Sequence, residues 1–227
     1  MKDIELVVFD MAGTTVNEDN LVYKTVCEAI RKEGYDVNLE QTLEYGAGKE
    51  KLQAIKDILI ACTDEVAVEQ QADLIFINFK KNLEDAYNSF HVKPFNGMED
   101  FFKILRKNNI KVVLNTGYDS KTANKLLELL DWSVGKTIDG LITADDVKIG
   151  RPSPEMIQMA MKQFDISDPA KVLKAGDSII DIEEGKNANC GVVVGVLTGA
   201  QNRGLLESAH PTHIVENLVD IQDMIIV

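Results

Sequence analysis

Four short runs, Leu6–Phe9, Val112–Leu114, Val172–Ala175 and Val192–Val196, constrain the fold of this chain more than any other feature. Each is too short for a helix, rich in β-branched residues and mostly apolar at successive positions, which is how a strand reads when helices cover both faces of a parallel sheet. Three of them run straight into polar turns: Asp10-Met11-Ala12-Gly13-Thr14-Thr15, Asn115-Thr116-Gly117 and Gly176-Asp177-Ser178. Between the runs the apolar spacing becomes helical. After Tyr118-Asp119-Ser120, which supplies N-cap chemistry, Ala123, Leu126, Leu127 and Leu130 share one helical face. Alternating strands and helices predict an α/β, doubly wound, Rossmann-like parallel-sheet core.

Residues 17–91 break that alternation. Tyr23, Val26, Cys27 and Ile30 form one helical stripe, Leu52, Ile55 and Leu59 a second, and Ala72, Ile75, Phe76, Phe79 and Leu83 a third, with no strand pattern between Leu39 and Phe90. The segment is too long for an ordinary crossover. It reads as an inserted α-helical cap over residues 17–91, with hinges near Val16–Asn20 and Phe90–Pro94, on a core made of residues 1–16 and 92–227.

Composition narrows the partners. Asp plus Glu outnumber Lys plus Arg by 37 to 24 in a chain of 227 residues, a net charge of −13 that repels nucleic acid and anionic membranes in the absence of a local basic cluster. No apolar run is long enough to span a bilayer and no signal-peptide pattern opens the chain, so the expectation is a cytoplasmic protein acting on a small molecule. Cys27, Cys62 and Cys190 are too scattered for disulfides or a metal site and read as small buried hydrophobes. His210 and His213 flank a Thr-His-Ile-Val segment that reads as a strand end, with solvent-facing imidazoles.

Loops that follow parallel strands converge at one edge of the sheet. That edge collects Asp10, a candidate nucleophile; Thr116 and the amides after it, which suit phosphoryl oxygens; Arg151 in Gly150-Arg151-Pro152-Ser153-Pro154, which can neutralise Asp10 and an anionic substrate; and Asp177 with Asp181. Asp177 and Asp181 are four apart at a helix start and share a face, so with Asp10 they make a hard-oxygen site suited to magnesium. The alternative for this pair is helix capping by Asp177 and a solvated Asp181. Ala12, two residues beyond the candidate nucleophile, offers no general acid.

These segments, in this order, resemble the haloacid dehalogenase superfamily over essentially the whole chain. The first motif of that superfamily is D-x-D-x-T; here Asp10-Met11-Ala12-Gly13-Thr14 resembles the phosphonoacetaldehyde hydrolase (phosphonatase) branch, which also has arginine where Arg151 stands. The resemblance implies a C1-type helical cap, attack of Asp10 on phosphorus, and Mg2+ held by Asp10, the Ala12 carbonyl and Asp177, with Asp181 in support. It implies Thr116 on the phosphoryl group, and Thr14, Gly117, Tyr118 and Gly46 at the substrate. Gly46-Ala47-Gly48-Lys49 falls where phosphonatases keep a Gly-x-x-Lys whose amine forms a Schiff base, so Lys49 is the expected amine. Cleaving a carbon–phosphorus bond beside an iminium expels an enamine, which needs no acid at position 12. Leu52 stands where the family has a histidine, and Tyr45 where it has a methionine.

The nearest alternative is an ordinary small-metabolite phosphatase or phosphoglucomutase-type enzyme with Lys49 binding substrate. An inactive binding protein is a further one. Carbon-directed dehalogenation leaves Asp177 and Asp181 without a role, a receiver domain lacks a cap, and Gly48-Lys49-Glu50 lacks the Ser or Thr of a P-loop. Relatives of this kind pair through their caps, which suggests a homodimer; the stripe containing Tyr23 serves either that contact or packing within the cap.

Overall fold

A computed structural model describes residues 3–89 and 91–226. Six parallel strands, β1 (Leu6–Asp10), β4 (Lys111–Asn115), β5 (Gly140–Ile142), β6 (Val172–Gly176), β7 (Val192–Val196) and β8 (His213–Val215), form one sheet in the order β5-β4-β1-β6-β7-β8. The chain builds outward from β1 to β5, then returns to the other side of β1 with β6. The C-terminal ends of β4, β1 and β6 therefore meet at the point where strand order reverses, where the flanking helices leave a crevice.

Helices cover both faces, as the runs of apolar residues require. Val7 and Phe9 of β1 point into one core, where the Phe9 ring stacks on Phe101 and Phe102 of α5 (Met98–Lys107) at centroid distances of 6.0 and 6.3 Å. Leu6 and Val8 point into the other, against Met156, Ile157 and Ala160 of α7 (Glu155–Gln163). Asp119 caps α6 (Ser120–Leu129) by accepting from the Thr122 amide at 2.7 Å, the role expected of it.

β5 was not among the four apolar runs, and β8 showed only as the Thr-His-Ile-Val strand end. Both are three-residue edge strands, too short to present a periodic pattern. Only Cys27 is buried as expected; Cys62 and Cys190 are partly exposed because they lie at helix and loop ends. His210 is exposed, whereas His213 is half-buried inside β8.

Between the core segments lie α1 (Leu21–Lys32), α2 (Leu39–Gly46), α3 (Lys51–Cys62) and α4 (Val68–Ser89). The chain enters and leaves this cap through a two-residue antiparallel ribbon, β2 (Val16–Asn17) against β3 (Lys93–Pro94). Phe90, named above in the second hinge, lies outside the described residues. The Tyr23 stripe of α1 faces inward: Tyr23, Val26, Cys27 and Ile30 are all buried, so Tyr23 forms no surface for a second copy. No helix of the described residues is long and apolar enough to cross a membrane.

Candidate active site

The sheet edge gathers charge at high density. Asp10 ends β1, Asp177 follows β6, and Asp181 sits in the first turn of α8 (Ile179–Asn187); each offers an oxygen, and these atoms lie within 4.8 Å of one another. Arg151 Nη1 bridges two of them, 2.7 Å from Asp10 Oδ1 and 2.6 Å from Asp181 Oδ1. Lys174, fully buried in β6, lies 3.0 Å from Asp181 Oδ1 and 3.1 Å from Glu184 Oε2, and donates to Asn115 Oδ1 at 2.6 Å. Asn115 in turn donates to Glu184 at 2.8 Å.

Four buried carboxylates, Asp10, Asp177, Asp181 and Glu184, thus face two cations, Arg151 and Lys174. The imbalance appears in their proton affinities. Burial first, then Asp10 and Asp181, push Asp177 well above the carboxylate range; burial and Asp181 raise Asp10 to about 6 despite Arg151. Burial acts upward on Asp181 too, yet Lys174 and Arg151 outweigh it and bring its carboxyl below the usual value. A two-charge deficit among hard oxygens is the electrostatic signature of a site that can hold a divalent cation. Room for Asp177 comes from glycines: a Cβ on Gly13 would stand 2.4 Å from Asp177 Oδ2, and one on Gly199 1.9 Å.

Asp177 does not cap α8. Ser178 is the N-cap, accepting from the Asp181 amide and donating its hydroxyl to Asp181 Oδ2 at 2.5 Å, while Asp177 accepts from the Ala200 amide at 2.5 Å. Nor is Asp181 solvated, since it is fully buried. Thr14 Oγ1 lies 3.4 Å from Asp177 Oδ1, so that hydroxyl steadies the carboxylate. Ala12 is half-buried in the turn after β1. Thr116 is buried with its Oγ1 accepting from the Tyr118 amide at 3.2 Å. Arg151 Nε is the one buried side-chain N or O atom among the described residues without a hydrogen-bond partner.

Removing the Lys174 ammonium strands Asp181 and Glu184 in the interior, which costs about 3–5 kcal/mol for a broken buried pair. Lys174→Met is therefore expected to shift the urea midpoint sharply downward, and a Glu184→Gln change in that background to recover part of the loss.

The cap brings two lysines near this edge, in different surroundings. Lys49 Nζ pairs with Asp57 Oδ2 at 2.5 Å on the half-exposed side of α3, and Gly46 packs against Ile58 and Ala54 inside the cap, so neither joins the carboxylates. Gly48 has φ +75° and rests on the core: a Cβ there would lie 2.3 Å from Ser178 Oγ and 2.9 Å from Ile180 Cβ. Gly117 matches it from below, where a Cβ would come within 2.9 Å of the Lys49 carbonyl. Lys51, three residues after Gly48, is 5% exposed with its Nζ 5.0 and 5.1 Å from the ring centroids of Tyr23 and Tyr118 and 2.5 Å from the Lys49 carbonyl. Burial, then the repulsion of Arg151, lower its pKa to about 8 against the pull of Glu50, Asp10 and Glu18.

Two overlapping Gly-x-x-Lys spacings exist, Gly46 to Lys49 and Gly48 to Lys51. Helical phase separates them. Lys51, Ala54, Ile55, Ile58 and Leu59 are the buried stripe of α3, whereas Lys49 precedes the helix. A cleft of about 1120 Å3 between α4 and α6 opens beside Lys51, Gly117 and Tyr118.

Glu18, just after β2, also escaped notice. It is 2% exposed, accepting at Oε2 from Tyr87 Oη (2.6 Å) and at Oε1 from Tyr118 Oη (3.1 Å), and burial raises its pKa to about 7. The folded state holds a proton here that the unfolded chain releases near the ordinary glutamate value of 4.5, so this contribution to stability is full below about that pH and is lost as pH rises through about 7. The loss is on the order of 3 kcal/mol. Glu18→Gln, which keeps both tyrosine partners, is expected to flatten that part of the melting temperature against pH curve.

The haloacid dehalogenase-like hydrolase family matches residues 4–189, and the chain belongs to it. It is a hydrolase. Within the family its likeness is to the phosphonatase branch: it is 30% identical to the phosphonoacetaldehyde hydrolase of Lactiplantibacillus plantarum over 91% of this chain and 80% of that protein, and 31% identical to that of Parabacteroides distasonis over 95% and 84%. The fold agrees with the crystal structure of a phosphonoacetaldehyde hydrolase-like protein from Oleispira antarctica, with a TM-score of 0.85, 21% identity, and 99% and 92% of the two chains covered.

Proposed function

We propose that this protein is a magnesium-dependent, phosphonatase-like hydrolase that cleaves the carbon–phosphorus bond of a small phosphonate bearing an aldehyde, with Asp10 as nucleophile and Lys51, rather than Lys49, as the imine-forming amine. One observation carries the reading. A buried lysine seated over the Tyr23 and Tyr118 rings lies within electrostatic reach of Asp10 and Arg151, and the residue two beyond Asp10 carries only a methyl group.

The donor set fits magnesium, which takes few protein oxygens. Asp10, Asp177 and the Ala12 carbonyl would hold it; Asp181, whose oxygens are taken by Arg151, Lys174 and Ser178, would support from behind. When bound, the ion neutralises charge on the phosphoryl oxygens. Thr116 and the free Arg151 Nε are the donors proposed for those oxygens.

In this scheme the neutral Lys51 amine condenses with the aldehyde and releases water. Asp10 attacks phosphorus, the carbon–phosphorus bond breaks, and its electron pair enters the iminium to give an enamine, so no acid is required at position 12. The enamine carbon then takes a proton in place of the lost phosphorus, which regenerates the iminium, and water hydrolyses both the aspartyl phosphate and that iminium, leaving phosphate and the shortened aldehyde. A phosphate ester would instead expel an alkoxide that Ala12 cannot protonate, which disfavours the phosphatase reading.

The closed cap keeps bulk water from these steps. A homodimer through the cap belongs to the same proposal, and Ile60, Val66, Leu74 and Ile77, exposed on α3, α4 and their connecting loop, are the apolar side chains it would cover. Incubation with phosphonoacetaldehyde and magnesium is expected to release phosphate and acetaldehyde in equal amounts. Turnover confined to phosphate esters would reject the reading.

A further inference from the structure

Forming an imine on Lys51 requires a group that removes a proton from the ammonium and later returns one to the departing hydroxyl. The charges that act on Lys51 are Arg151, Glu50, Asp10 and Glu18. Arg151 cannot give up its proton at working pH. Glu50 is occupied as the N-cap of α3, accepting from the amides of Leu52 and Gln53 at 3.0 Å each. Asp10 is committed to phosphorus. Three residues beyond Lys51 stands Ala54, whose methyl transfers nothing.

Glu18 remains, and its surroundings suit the task. It joins three parts of the molecule: Tyr87 reaches it from α4 of the cap, Tyr118 from the loop after β4, and the Val22 amide from α1. The ring of Tyr118 that faces Lys51 carries the hydroxyl that donates to Glu18. Facing Lys51 itself are the Tyr23 and Tyr118 rings and the Lys49 carbonyl, besides the charges already named. Two buried tyrosine hydroxyls on one carboxyl are more than a hinge requires to stay closed, because a neutral glutamine would hold them equally well.

We infer that Glu18 is the positioning residue for the proton of Lys51, acting through the Tyr118 hydroxyl; this rests on the reading of Lys51 as the imine-forming amine. In this relay Lys51 Nζ leaves the Lys49 carbonyl, moves from the Tyr118 ring to its hydroxyl and passes a proton to Tyr118 Oη as Tyr118 passes its own to the Glu18 carboxylate, leaving a neutral amine and a neutral acid. The amine attacks the carbonyl carbon, and the nitrogen proton moves to the new alkoxide. Glu18 then returns its proton through Tyr118 to that hydroxyl, the carbon–oxygen bond breaks, and water departs, giving the iminium and restoring the carboxylate. Buried Glu18 near 7 and Lys51 near 8 are closely enough matched for the proton to move both ways.

The test follows the rate at which phosphonoacetaldehyde with borohydride leaves a reduced adduct on Lys51, read by mass spectrometry from mildly acidic to mildly alkaline pH. Glu18→Gln is expected to slow adduct formation about 100-fold near neutrality and to move the rise toward alkaline pH, where hydroxide takes over. Tyr118→Phe, which keeps the carboxyl but cuts the relay, should move the profile in the same direction, and Glu18→Asp should restore the wild-type shape. Melting curves confirm folding of each variant; if Glu18→Gln does not fold, Tyr118→Phe decides. Adduct formation with a profile of unaltered shape in the folded variants, even at a uniformly lower rate, overturns the relay alone. No adduct on Lys51 in the wild-type protein overturns the reading of Lys51 and the relay with it.

Discussion

Asp10→Asn is expected to reduce phosphate release by about 10⁴-fold or more, the scale seen when a nucleophile is removed from an otherwise intact site. The fold should survive. Asparagine has the shape of aspartate, its carbonyl oxygen can still accept from Arg151 Nη1, and Phe9, the neighbour that anchors β1 between Phe101 and Phe102, is untouched. The substitution also removes one of four buried carboxylates that face only two cations, so with a chelator present the variant should melt no lower than the wild type. Magnesium should then raise its melting temperature less than that of the wild-type protein, because one oxygen charge is gone. A variant that retains its rate would mean that another group attacks phosphorus.

The second large effect separates two lysines only two residues apart. Lys51→Ala is expected to abolish the borohydride adduct and to lower carbon–phosphorus cleavage by about 10³-fold, since the covalent electron sink is lost. Lys51→Arg, which keeps the charge but cannot form an imine, should fail equally. Lys49→Ala removes a partly exposed pair with Asp57, a contact worth about 0–1 kcal/mol, and should leave turnover within about threefold of wild type. Mass spectrometry and phosphate release measure all three. An adduct on Lys49 in the wild-type protein, or a collapse of activity in Lys49→Ala alone, would restore the first Gly-x-x-Lys as the working one.

The contrast shows what a single sequence displays and what it hides. Strands β1, β4, β6 and β7 were legible because burial on both faces makes them nearly continuous apolar runs. The carboxylates Asp10 and Asp177 were legible because they follow such strands directly. Lys51 was visible only through the phase of α3, and a spacing rule alone chose its neighbour. Lys174 sat unnoticed inside an apolar run because the partners that make its burial tolerable, Asn115 and Glu184, come from elsewhere in the chain. Glu18 is the extreme case, with partners at separations of 69 and 100 residues. Buried charges reveal themselves by what surrounds them, and a sequence without coordinates does not order residues by neighbourhood.

The ribbon of β2 and β3 has a consequence for how such an enzyme diversifies. Entry and exit of the helical insertion lie side by side, so its interior can be lengthened, shortened or replaced while the sheet keeps its register and Asp10 its place. Lys51 travels with one part and Asp10 with the other. A lineage can therefore acquire a new appetite by rewriting the lid, and leave the hydrolytic machinery beneath it unaltered.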